Sequence, residues 1–195
     1  MTVIDITDVE PFDMPAFAHM WEPEDQFIGA VLHLKGPAAR ELVELVPTTA
    51  IEQPIARWAY ELITTLVQAG GNPDPTLILA AARRQPPAWG AAAIDELTVT
   101  TLRPNIIGDL GNYLANTLTR VHNPAGAREY ARALLDDAFR RATAAWGARL
   151  QQMATAYADR EDLTTVITEG MRGELRDLWQ RAERAGRPSA HTPKG

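Results

Sequence analysis

The chain has 195 residues, 46% of them hydrophobic, a formal net charge of −6 and no cysteine. That length and apolar content support one compact unit with an extension, while the charge opposes bulk binding to phosphate backbones. The absence of thiols excludes a disulfide framework and thiolate metal sites and leaves the cytosol as the plain expectation.

Residues 1–20 hold Pro11 and Pro15 among acids, and no Lys or Arg occurs before Lys35. The segment reads as an acidic extended arm able to dock through Phe12 and Phe17; its opening MTVIDITDVE lacks the basic start and unbroken apolar run of a signal peptide. A helical globular subdomain is predicted over 21–126. Its first helix opens at Pro23-Glu24-Asp25, buries Phe27, Ile28, Val31 and Leu32, and stops at Gly36-Pro37. A second runs over 38–46. The third, from Pro54, puts Ile55, Trp58, Ala59, Leu62, Ile63, Leu66 and Val67 on one stripe before Gly70-Gly71-Asn72-Pro73 ends it. Trp58 and Tyr60 are read as core. Asp74 can cap a short helix with Leu77, Ile78 and Ala81 inward. Signals over 85–108 are mixed, and 109–120 returns to helix with Leu110, Tyr113, Leu114 and Leu118 buried.

Two long helices follow, giving a hairpin over 127–185. The first, over 127–157, carries Leu135, Phe139, Ala142, Trp146, Met153 and Tyr157 on a narrow stripe, with Arg149 falling on the seam. The second runs to about Arg184 with Leu163, Val166, Ile167, Met171, Leu175, Leu178, Trp179 and Ala182 facing one way, interrupted by Gly170 and Gly173. A short turn between long amphipathic helices means an antiparallel pair. Residues 186–195 read as a disordered tail. An isolated two-helix unit cannot hide both sides of its stripes, so a partner must cover part of them, or the hairpin folds back on the first part of the chain as plain core. The candidate protein interface is Leu135, Phe139, Trp146, Met153, Met171, Leu175 and Trp179, because buried aromatics flanked by arginine make interface anchors.

Catalytic chemistry has no foothold. There is no Gly-Lys pair for a phosphate loop, and the one serine is Ser189, so serine catalysis is set aside. His19, His33, His122 and His191 show no ligand spacing. No catalytic, cofactor or metal residue is assigned. No segment approaches the ~20 consecutive apolar residues of a membrane span.

The order of segments resembles the N-terminal domain of DnaB-type replicative helicases. The matching stretches are Glu24-Asp25-Gln26-Phe27-Ile28-Gly29-Ala30-Val31-Leu32, Glu41-Leu42-Val43 to Pro47, Pro54 to Ile63, the turn Gly70-Gly71-Asn72-Pro73-Asp74, Gly111-Asn112-Tyr113-Leu114, and the loop from Asn123 to Tyr130. The likeness spans about 22–183 and consists mostly of apolar spacing; the order of the segments carries it. It implies an all-α fold, a small helical globe joined to a long antiparallel hairpin, with hairpins pairing into a homodimer, and a stand-alone relative without the ATPase motor. It further implies a non-catalytic replication module that binds the helicase, the primase or both. The competing readings are a phage- or plasmid-encoded decoy of the host replisome, and a nucleic-acid-binding module using Arg128, Arg132, Arg140, Arg141 and Arg149. Interspersed Glu129, Asp136 and Asp137 argue against the latter.

Overall fold

The structure, a computed structural model, describes residues 22–87 and 105–187. The acidic arm with Phe12 and Phe17, most of the mixed segment (88–104) and the end of the tail lie outside the described residues. Among the described residues there are eight α-helices and no strand: α1 (Pro23–Leu32), α2 (Gly36–Leu45), α3 (Pro54–Gln68), α4 (Pro75–Ala82), α5 (Ile106–Arg120), α6 (Ala127–Thr155), α7 (Arg160–Arg172) and α8 (Glu174–Ala185). Short 3₁₀ turns sit at Thr48–Ala50 and Pro124–Gly126.

Gly36-Pro37 does not stop α1; it opens α2. Proline is at home in a first turn, where its missing N–H has no partner to lose. α3 ends as read from the sequence. Gly70 takes φ 89°, its N–H reaches Val67 O at 3.0 Å, and the Gly71 N–H reaches Leu66 O at 2.9 Å, the paired bonds of a Schellman motif. Asp74 caps α4, its Oδ1 accepting from the Thr76 N–H at 2.7 Å and the Leu77 N–H at 3.3 Å; these bonds hold its carboxyl below the usual aspartate value. Leu77, expected to point inward, is 48% exposed, because α4 turns Ile78, Ala81 and Ala82 to the core and Leu77 lies about 100° away.

Phe27, Ile28, Trp58, Tyr60, Leu62, Ile63, Ile78, Leu110, Leu114 and Leu135 are essentially fully buried and form one core. Each contributes roughly 1.5–3 kcal/mol on removal from water. Phe27 meets Tyr60 edge to face at 5.5 Å. The two polar-tipped aromatics spend their donors internally: Tyr60 Oη on Val46 O at 2.9 Å and Trp58 Nε1 on Gln85 O at 3.0 Å.

The polar start of α1 ties three parts of the globe together. Glu24 accepts the backbone N–H groups of Glu52 and Gln53, ahead of α3; Asp25 accepts the Tyr113 hydroxyl at 2.8 Å; Gln26 accepts the His122 N–H at 2.9 Å and donates to Arg120 O at 3.4 Å. Burial pushes the Glu24 carboxyl up, against the pull of those N–H groups, and raises the Tyr113 hydroxyl as well. At Gly29, α1 crosses α5 so closely that a Cβ would collide with the Thr117 carbonyl.

Candidate protein interface on the helical hairpin

The hairpin divides into two halves with different jobs. In the first half of α6, Ala127, Ala131, Leu134, Leu135 and Ala138 are buried, with α1 and α8 as the principal neighbours. α8 is anchored from the same side. Its Leu178, Ala182 and Ala185 are buried. Arg181 donates to Glu44 O and Leu45 O at 2.9 Å each, capping the end of α2 while pairing with Asp177 at 2.6 Å. Arg128 of α6 donates to Arg184 O at 3.1 Å and pairs with Glu41. This proximal half is core of its own chain, so the fold-back alternative holds for it.

The distal half, 143–172, is held more thinly. Trp146 of α6 lies directly over Gly170 of α7, where a Cβ would run into the indole ring, and its Nε1 donates to Val166 O at 3.4 Å. Gly170 is thus the small residue that admits a tryptophan between the helices, not a break in the pairing. The expected single second helix is interrupted at Gly173, which has ψ −124° and places a would-be Cβ 3.0 Å from Glu169 O. The chain therefore continues as two helices, α7 and α8, in place of one rod. Glycine gains least from staying helical, so the ladder gives way there.

At the apex, α6 ends two residues short of the expected point. Tyr157 has φ 56°, its N–H reaches Ala154 O at 3.2 Å, and the Ala158 N–H reaches Met153 O at 3.0 Å. This is the same Schellman geometry as at Gly70, but with tyrosine in the left-handed position. Tyr157, read from the sequence as a stripe residue, is 94% exposed. Ile167 on α7 is 42% exposed and Trp179 on α8 is 58% exposed.

The predicted interface residues therefore scatter. Leu135 is sealed in the core, and Phe139 packs against it. Trp146, Met153 and Leu175 are half-buried, Trp179 is open, and the side chain of Met171 lies outside the described residues. Sequence reasoning missed Tyr157 and Ile167 as open surface. It also missed a cleft of about 410 Å³ between the start of α8 and the middle of α6. Ala138, Ala142, Trp146 and Leu178 supply its apolar lining; Arg141, Arg149, Glu174 and Thr49 supply the polar part.

Charge along α6 is largely matched. Arg132 pairs with Asp136 at 3.9 Å, Arg140 with Asp137, and Arg141 with Glu52 at 3.5 Å, while Arg149 makes no ion pair among the described residues. A row of paired arginines has little left to neutralise phosphates. Among the described residues no group of three or more His, Asp or Glu is placed to hold a metal ion, and no helix is long and apolar enough to cross a membrane.

No protein-family model matches the sequence, and no curated protein matches it. Among solved structures, the crystal structure of the N-terminal domain of DnaB helicase from Mycobacterium tuberculosis superposes with a TM-score of 0.56 at 18% sequence identity, covering 81% of this chain and 95% of that chain. The fold is that of a DnaB helicase N-terminal domain. At this identity the likeness resides in architecture, a helical globe whose chain continues into a hairpin, and among the described residues the hairpin carries the exposed Tyr157, Ile167 and Trp179.

Proposed function

We propose that the chain is a non-catalytic protein-interaction module of DNA replication in the cytosol, which self-associates through the exposed faces of the hairpin and binds a replicative helicase, its primase, or both. The observation that carries the reading is the exposure of Trp179, Ile167 and Tyr157 on a hairpin whose proximal half is already core. Large aromatics left in water on a rigid support are the usual anchors of protein interfaces. The DnaB N-terminal domain fold supports the choice of replication as the setting.

The test is molar mass in solution by light scattering, alone and with purified helicase and primase. A dimer is expected, and Trp179→Ala should weaken it about 30-fold, the equivalent of a ~2 kcal/mol anchor. Trp179 has more than half of its surface in water, and its neighbours Leu178 and Ala182 carry the packing of α8, so this variant keeps its helical content. A wild-type chain that stays monomeric at micromolar concentration and shifts neither partner would overturn the proposal.

A further inference from the structure

We propose that the acidic arm of this chain folds back over its own Arg141–Trp146–Arg149 cleft. The contact is within one chain and does not rest on self-association.

Three observations converge. The cleft offers an apolar floor with two arginines against one carboxylate, Glu174, and one of those arginines, Arg149, has no ionic partner among the described residues. The 22 residues ahead of α1 have the complementary character: Asp5, Asp8, Glu10 and Asp13 with no lysine or arginine, and Phe12 set between two acids in Glu10-Pro11-Phe12-Asp13. An aromatic flanked by carboxylates matches an apolar slot flanked by guanidinium groups, the pairing in which charge fixes register and the ring supplies burial.

Proximity is the third. α1 begins at Pro23, and Glu24 in its first turn bonds the N–H groups of Glu52 and Gln53. Arg141 bonds Ala50 O at 2.6 Å and Glu52 at 3.5 Å, and its charge is felt at Glu24. Thr49, next to Ala50, lines the cleft itself. The arm therefore joins the described fold beside the cleft. Phe12 lies ten positions before Glu22, a reach of about 30 Å when extended, ample for a return onto the adjoining surface. A tethered segment meets its site at millimolar effective concentration, so even a weak pocket is occupied.

The chain has no cysteine, so Ala16→Cys gives a single attachment point for a nitroxide. In the full-length labelled chain, the Trp146 indole N–H resonance should broaden and recover when the nitroxide is reduced. Arg149→Glu, which removes no ion pair of the described fold, and Phe12→Ala, which leaves every described contact intact, should each remove most of the broadening. An equally sharp Trp146 signal in the oxidised and reduced samples would overturn the proposal. So would broadening that appears only on isotope-labelled chains mixed with nitroxide-labelled ones, because the arm would then belong to a second copy.

Discussion

Replacing Tyr157 with glycine should stabilise the protein even though it deletes the most exposed large side chain on the hairpin. Tyr157 holds φ 56° at the end of α6, a conformation that costs an L-residue roughly 1–2 kcal/mol. Glycine removes that cost but gives back roughly 0.5–1 kcal/mol in extra chain entropy on folding. The ring itself, 94% exposed, has almost no burial to lose. The net is a gain of roughly 0.5–1 kcal/mol, or a rise in Tm of about 1–4 °C for a chain of this length. Gly70 offers the reciprocal experiment: it sits in the same motif at φ 89°, so Gly70→Ala should lower Tm by a similar amount. Reversible thermal unfolding followed by circular dichroism at two protein concentrations separates folding from association. A fall in Tm for Tyr157→Gly at both concentrations would refute the reasoning, since it would mean that the ring makes a stabilising contact within the chain.

Two further glycines should respond with opposite signs. Gly147, on α6, has nothing within 4 Å of a would-be Cβ, so Gly147→Ala should gain about 1 kcal/mol from helix propensity alone, read as a higher urea midpoint. Gly29→Ala collects the same propensity but drives its methyl into the Thr117 carbonyl, a backbone atom that cannot swing aside, and a net loss of about 2 kcal/mol is expected; a higher midpoint for Gly29→Ala would show that α1 and α5 separate freely. For pH, burial raises the Glu24 carboxyl above its unfolded value of 4.5, so the folded state holds the proton more tightly. Its contribution is greatest below pH 4.5 and is lost as pH rises through the raised value. The stability of the wild type relative to Glu24→Gln should therefore decline from pH 4 to pH 7, and a difference that grows with pH would contradict it.

What was legible in the sequence was what periodicity and punctuation encode. The stripe from Trp58 to Val67 and the stop at Gly70-Gly71 gave α3 its length, and the Asp74-Pro75 pair marked the cap of α4. Elements were lost where punctuation is ambiguous: Gly36-Pro37 reads equally as a stop or a start, and only the position of α2 against its neighbours decides. The candidate site was less legible, because a stripe tells which residues can be covered and not by what. Leu135 and Trp146 share a seam in the sequence, yet one faces the globe and the other faces Gly170 of the returning helix. Tyr157 gave no warning at all, since the residue type that normally signals a left-handed helix end is glycine.

The division of the hairpin also decides which substitutions can report on binding. Trp146 is the obvious aromatic to delete, but it spans α6 and α7 by lying on Gly170 and donating to Val166 O. Its removal would open a cavity between the helices, at a cost of up to about 3 kcal/mol for a half-buried ring. Loss of association in such a variant would follow from a loosened hairpin as readily as from a lost contact. Tyr157 and Trp179 carry the opposite property: each has more than half of its surface in water, so shortening it leaves most of the packing between helices in place. Tyr157→Gly is the sharpest of these probes, because it should raise stability while removing an apex aromatic. If the apex takes part in an interface, stability and association will move in opposite directions in one variant, a result that global unfolding cannot imitate.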